Sequence, residues 1–187
     1  MTLNIHSLKS ELEDYFENQQ GTVIEEQARK FIGVYINYAE KASSSFASDF
    51  GIQISHPDLS ANVFAAEAKI ISAYKIQQAD AIANGIAKAC ELLWTPPPAQ
   101  FPNDVLVTTP ILPNVWVSTV VQAVTGTSGL SSSLKTEFKI NDPAQASAKI
   151  KAQKFASYFE LFTKSISLLV TLQPPSGPPI TQPATVV

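Results

Sequence analysis

LSANVFAAEAKIISAYKIQQADAIANGIAKACELLWTPPP, from Leu59 to Pro98, is the stretch on which the reading of the fold turns. Ten alanines lie between Leu59 and Trp94, and alanine has the highest helix propensity. Pro57 resists helix upstream, and Asp58 or Ser60 can cap the first turn by accepting from an orphan N–H. Apolar positions recur by threes and fours at Phe64, Ala68, Ile71, Ala79, Ile82, Ile86, Cys90 and Leu93, with Lys75 the one interruption. Such a run predicts one helix of about 54 Å. A compact chain of this length is only ~40 Å across. The expectation is therefore an elongated molecule, with the long helix bent at Gly85.

Working outward, the rest of the chain also reads as mainly helical. Residues 4–18 place Ile5, Leu8, Leu12 and Tyr15/Phe16 on one side and acidic residues on the other. Gly21 suits a left-handed stop, and Thr22-Val23-Ile24-Glu25 has the form of a capping box. A second helix to about Ser45 then carries Ile24, Ala28, Phe31, Tyr35, Tyr38 and Ala42 at core spacing. Phe46, Phe50, Ile52 and Ile54 tuck a loop onto the core. Val105-Leu106-Val107 is a candidate short strand. Residues 114–125 are β-branched, yet Val117, Val120, Val121 and Val124 fall at helical spacing, so a helix is expected there.

Gly126-Thr127-Ser128-Gly129 should break that helix, and a short one bearing Leu130, Leu134 and Phe138 follows. Asn141-Asp142-Pro143-Ala144-Gln145 then has the sequence of a helix start. The final helix, 143–170, presents Ala148, Ala152, Phe155, Phe159, Phe162, Ile166 and Leu169 as one seam.

The last helix echoes the first stretch. Shifted by 76 positions, Leu92-Leu93-Trp94-Thr95 falls on Leu168-Leu169-Val170-Thr171, and Lys75, Gln77 and Lys88 fall on Lys151, Gln153 and Lys164. Two readings stand: an internal pseudo-repeat whose helices 59–94 and 143–170 pack together with Phe155 over Ala79, or convergence of similar helices. The fold class expected is thus mainly α, an elongated bundle of about five to six helices with proline-rich extended segments. Residues 1–173 form the helical domain and 174–187 an extended C-terminal arm.

Charge excludes some functions. The net charge is −3 over 187 residues, and no Lys/Arg run exists to track phosphates, so no nucleic acid is expected. No apolar run approaches the ~20 residues that span a bilayer, and no signal-peptide core opens the chain. No membrane partner is expected, and the chain should fold in a cytoplasm. The lone Cys90 allows no intrachain disulfide. His6 and His56 have no companion ligands at zinc spacing. Neither a nucleophile elbow nor a phosphate loop occurs. The carboxylates Glu11, Glu13, Asp14, Glu17, Glu25 and Glu26 read as a solvated face. No catalytic, metal or cofactor residue is assigned, and no enzyme activity is expected.

The uncharged proline-rich segments are the positive signal. No ionisable residue occurs from Val105 to Leu134 or from Ser165 to Val187, and prolines cluster at 96–113 and 174–183. Such segments lack the charge of disordered tails, so their apolar groups need cover. The residues expected at a protein interface are Trp94, Pro96, Pro97, Pro98, Phe101, Trp116, Pro174, Pro175, Pro178, Pro179 and Ile180. For Trp94 the rival reading is an internal wedge between helix end and loop.

Leu8-Lys9-Ser10-Glu11-Leu12-Glu13, the Ala/Tyr-containing helix, Leu134 with Phe138, and the Ala/Lys helix running into a Pro- and Thr-rich end carry one resemblance. In these the chain resembles small helical structural proteins of tailed bacteriophages. The resemblance implies a virion component of tail, neck or baseplate, made in the host cytoplasm, with other virion proteins and its own copies as partners. It assigns no functional residues. The alternative is a helical adaptor or small-ligand-binding module, with a pocket lined by Phe155, Phe159 and Tyr74.

Overall fold

Gln77 ends the first half of the alanine-rich stretch in a left-handed conformation (φ 56°, ψ 25°), and the chain turns back there. The expected single rod is two helices, α3 (Val63–Ile76) and α4 (Ala79–Trp94), preceded by a 3-10 turn at Ser60–Asn62. Asp58 does accept from the Ser60 N–H, at 3.0 Å. Gly85 is not the bend. It lies buried inside α4, where a Cβ would collide with that of Ala73 on α3. The two helices cross backbone to backbone at that point, and the elongation argued from a 54 Å helix loses its basis.

The structure, a computed structural model, describes residues 3–18, 23–46, 57–95, 105–107, 114–139 and 147–187. The remaining helices are α1 (Ile5–Glu17), α2 (Ile24–Ala39), α5 (Thr127–Lys139) and α6 (Ala148–Lys164). The strands are β1 (Val105–Val107), β2 (Val115–Val124), β3 (Ile166–Gln173) and β4 (Ile180–Thr185). The described part is mainly helical, as expected. The sheet is the departure: four antiparallel strands in the order β1-β2-β3-β4.

Each helix packs on its sequence neighbour, and α6 returns to α1, so the packing order closes on itself. Asn4 caps α1 by accepting from the His6 and Ser7 N–H groups, and Leu8, Leu12 and Tyr15 face inward as expected. In α2, Ala28, Phe31, Tyr35 and Tyr38 are buried, and Ala42 beyond it is too. The helix ends at Ala39, short of Ser45, and Val23 at its N-cap makes no side-chain bond. Gly21 and Thr22 lie outside the described residues, as do Phe50, Ile52, Ile54 and the Asn141–Gln145 start signal. The observed cap of α6 is Ser147, which accepts from the Ile150 N–H at 3.3 Å.

An aromatic cluster joins four helices. Phe155 of α6 meets Phe16 of α1 (5.1 Å between ring centroids), Phe31 of α2 (6.2 Å) and Phe138 of α5 (5.6 Å). Within α6 it also meets Phe159 (6.3 Å). The expected packing of 143–170 against 59–94 is therefore corrected: α4 sits on α3 and α5, while α6 sits on α1 and α5. The sequence echo also joins unlike structures, since Leu92–Thr95 closes a helix and Leu168–Thr171 lies in β3. Lys135 and Lys139 of α5 reach Asp80 at the start of α4 (2.6 and 3.1 Å). Their hydrogen bonds hold its carboxyl below the usual carboxylate range.

Residues 114–125, expected as a helix, form β2. Its inward residues Val115, Val117, Thr119 and Val121 alternate with outward ones, the period of a half-buried strand. Likewise α6 stops at Lys164, and the seam residues Ile166 and Leu169 belong to β3. Gly126 separates β2 from α5, and Thr127-Ser128-Gly129 already form the first turn of that helix. A Cβ on Gly126 would strike Ser165, the single residue between α6 and β3. β2 thus feeds α5 at the place where α6 feeds β3, with Val124 paired to Ile166.

The proline-rich end is no detached arm. Pro174–Pro179 is the turn of a hairpin, with Gly177 supplying a φ of 118° that L side chains rarely adopt. β4 returns along β3. Val186 is buried beside Ser44, and Val187 and Ser43 exchange backbone bonds of 2.8 and 2.9 Å.

At the centre, Trp94 is fully buried and donates Nε1–H to the Tyr35 hydroxyl at 2.9 Å. Tyr35 in turn lies 3.0 Å from Thr163 Oγ1, and Thr163 donates its one proton to the Phe159 carbonyl (2.8 Å). Tyr35 must therefore donate to Thr163. Burial, with Cys90 beside it, pushes its hydroxyl well above the usual tyrosine range.

Two stability measurements check this packing by urea unfolding. Gly85→Val should cost about 2–3 kcal/mol, because overpacking at the α3–α4 crossing exceeds any gain in helix propensity. A variant as stable as the wild type would show that the crossing is looser than described. Tyr35→Phe should cost about 1–3 kcal/mol by orphaning the Trp94 donor, and clearly less in a Trp94→Phe background. Equal costs in both backgrounds would mean that the bond contributes nothing.

Candidate docking face

β2, β3 and β4 carry no ionisable side chain on either face. Register sorts their residues. Val117 pairs with Leu172, Thr119 with Val170 and Val121 with Leu168, and these six are the buried face against the core. The opposite face is built of rows: Trp116 beside Gln173; Ser118, Thr171 and Thr181; and Val120, Leu169 and Pro183. A register shift between Val121 and Ala123 leaves Gln122 as the extra residue, a bulge that adds local twist. Trp116 is 49 % exposed and Val120 37 %. The result is an open, uncharged sheet face with an indole at one end.

The β4 edge of this sheet is blunted against further strands. In an antiparallel ladder, the N–H groups of successive residues point alternately toward and away from a given neighbour. Thr185 sends its N–H to Ser45 Oγ (3.1 Å) and Val187 to the Ser43 carbonyl. By parity, Thr181 and Pro183 also face away from β3. Pro183 has no N–H to offer, which leaves that of Thr181. A proline on the outer edge and a covering segment are both established devices against edge pairing.

The interface residues expected from the sequence divide. Trp116 is on this face. Ile180, 53 % exposed, stands where β4 leaves the turn, on the side of the sheet that the helices cover further along. Pro175, Pro178 and Pro179 are exposed in the hairpin turn, and Pro174 is half-buried. Trp94 is corrected: it is the internal wedge, with no surface to offer. Pro96, Pro97, Pro98 and Phe101 lie outside the described residues. Val120, Leu169 and Pro183 were missed, because a helical reading of 114–125 and 166–170 scatters them over different faces. Their strand alternation was the available signal.

Among the described residues no group of three or more His, Cys, Asp or Glu could hold a metal ion, and no helix is long and apolar enough to cross a membrane. The nearly buried carboxylate of Glu137 receives Lys154 (3.0 Å) on one oxygen and the Tyr158 hydroxyl (2.9 Å) on the other. Burial and that carboxylate push Tyr158 up to about 12. Phe155 and Phe159 are core residues 2 % and 0 % exposed, packed by the rings of Phe16, Phe31, Tyr35 and Phe138.

A groove of about 700 Å³ does run between α1 and α2, past Gly33, with Glu11, Asp14, Asn18, Lys30 and Asn37 on its walls. Both Glu11 oxygens are held there, by Ser7 (3.0 Å) and Asn37 (3.2 Å).

Thr119 gives a check on which face is inside. Its hydroxyl is buried with no partner, so Thr119→Val should stabilise the chain by about 1 kcal/mol in urea unfolding. A loss of stability instead would place that hydroxyl in a polar setting.

No family model, no curated protein and no solved structure matches the chain.

Proposed function

We propose that the chain is a structural subunit of a larger particle, acting through protein–protein contact rather than chemistry. The observation that carries this reading is the uncharged outer face of β2–β4, with Trp116, Val120 and Pro183 exposed and Leu169 half-buried among them. Interface cores are depleted in charge and enriched in tryptophan, and a face with no ionisable group has little to gain from water. The particle is a virion. The likeness of the opening helices and the proline-rich end to tailed-phage proteins suggests a tail, neck or baseplate component, assembled from the host cytoplasm.

The second reading, a ligand-binding module, rests on the α1–α2 groove. Its ~700 Å³ fits the size of small-molecule sites. Against it, the Glu11 oxygens on its wall are already bonded to Ser7 and Asn37.

Removing residues after Gln173 would be a poor test, because β4 and the buried Val186 would go with them. Substitution on the face is cleaner. Wild-type and Trp116→Arg/Val120→Lys chains, each co-expressed with the genes flanking their own, are compared in particles purified on a density gradient. The wild type should band with particles and the double variant should remain at the top of the gradient, with unchanged circular dichroism. Incorporation of the variant at wild-type level would defeat the reading.

A further inference from the structure

We propose that β4, with the two residues after it, is an exchangeable strand: it leaves its own β3 and seats on the β3 of a second copy of this chain. The structure shows what fits that seat, because β4 occupies it, and every copy carries the same strand. The inference goes beyond the docking role of the outer face and makes no use of Trp116.

The turn is the first observation. Residues 174–179 read Pro-Pro-Ser-Gly-Pro-Pro. A proline ring fixes φ near −65°, and the residue before a proline is pushed toward extended backbone. Gln173, Pro174, Gly177 and Pro178 all stand before prolines. The local preference is for a straight connector, about 19 Å long as a polyproline helix. Reversal is open to this segment because Gly177 takes a φ of 118°. One sequence thus serves both a hairpin turn and an extended hinge.

The seat is the second. Along Ile180–Thr185 only Ala184 is buried, whereas β3 buries every second residue as far as Leu172. Val186, just beyond β4, is the other anchor. Neither strand has an ionisable side chain, so no side-chain ion pair holds them together. The rest is backbone: the ladder to β3, and the bonds of Thr185 and Val187 to residues 43–45. Water replaces each such bond when the strand leaves, at a small net loss. A terminal strand held this way opens without unfolding the body. On a second copy it regains the same ladder and the same two anchors, which is the condition for a swap.

The register supplies the test. Ser167 and Thr185 are partners in the β3–β4 ladder, Ser167 half-buried and Thr185 exposed. The Thr185 N–H goes to Ser45, away from β3. The pair is therefore a non-hydrogen-bonded one, with side chains close enough for a disulfide. Full-length Ser167→Cys and Thr185→Cys chains are mixed at about 100 µM, in the range of weak contacts, and oxidised. Neither chain can bridge this pair within itself, and Cys90 is buried. Exchange joins one chain to the other, so non-reducing electrophoresis should show a species of twice 20.2 kDa. Each variant oxidised alone should yield far less of it. Gly177→Val, which cannot keep that φ, should raise the yield in the mixture.

A mixture that gives no more dimer than the single variants overturns the inference, provided that the Ser167→Cys/Thr185→Cys double variant closes within one chain. A Gly177→Val background with native circular dichroism and no added dimer also overturns it, since the turn would then not be the hinge. Either result leaves the outer docking face standing, because that reading is tested through Trp116 and Val120.

Discussion

A single line of buried hydrogen bonds ties the helical body together: Trp94 Nε1–H to Tyr35, Tyr35 to Thr163, and Thr163 to the Phe159 carbonyl. Its polarity is forced. An indole N–H only donates, and the Thr163 proton is already committed to Phe159, so each hydroxyl has one role left. In water these groups would bond to solvent, and the net gain from each bond is only ~1 kcal/mol. The cost of leaving one unmade is larger, about 1–3 kcal/mol, because the site is dry. The line therefore acts less as glue than as a specification. The C-terminal ends of α4 and α6 can approach α2 in one register, and other registers strand a donor or acceptor.

That register positions the sheet. Only Ser165 separates α6 from β3, so fixing Thr163 fixes where β3 begins. Val124 pairs with Ile166 at the same point, and Gly126 lies so close to Ser165 that a Cβ there would displace its hydroxyl. The sheet's inner face, with Val117, Val121, Leu168 and Val170, then belongs to the same hydrophobic cluster as Trp94 and Phe159. One face of each strand is thereby spent on the core. The other is left over, and its neutrality follows from a chain that places its charges elsewhere.

Much of the helical body was legible in the sequence. Leu8, Leu12, Phe31, Tyr35, Leu130, Leu134, Phe155 and Phe159 are inside where period 3.6 put them. The failures have physical reasons. Gln77 adopts the left-handed region that glycine or asparagine usually marks, so the reversal carried no local sign, and Gly85 drew the attention instead. The error shifted the phase of α3. Phe64, expected inside, is 83 % exposed, while Ala66, Ile70 and Ala73 are buried.

The strands were lost to a coincidence of spacing. Val117, Val120, Val121 and Val124 satisfy a helix, although Val117 and Val121 point inward and Val120 outward on a strand. The β-branched content was the better guide, because partners four strands wide override a weak local period. Of the residues expected at an interface, Trp116 is half-exposed on the outer face of the sheet. Its neighbours on the face come from β3 and β4, some 50 to 65 residues later in the chain (Leu169 and Pro183). Only the pairing register brings them together, and no linear reading supplies it.

A small neutral face also says something about the kind of assembly it suits. A footprint of roughly 400 Å² is too little to hold an isolated pair firmly. Within an assembly that already holds neighbouring copies close, each added contact is in effect intramolecular, and modest faces reinforce one another by effective concentration. Neutrality helps there as well, since repeated copies accumulate no repulsion across the contact. The blunted β4 edge fits the same logic. An open edge along β4 would invite sideways pairing with other chains, and Pro183 with the 43–45 segment blunts it.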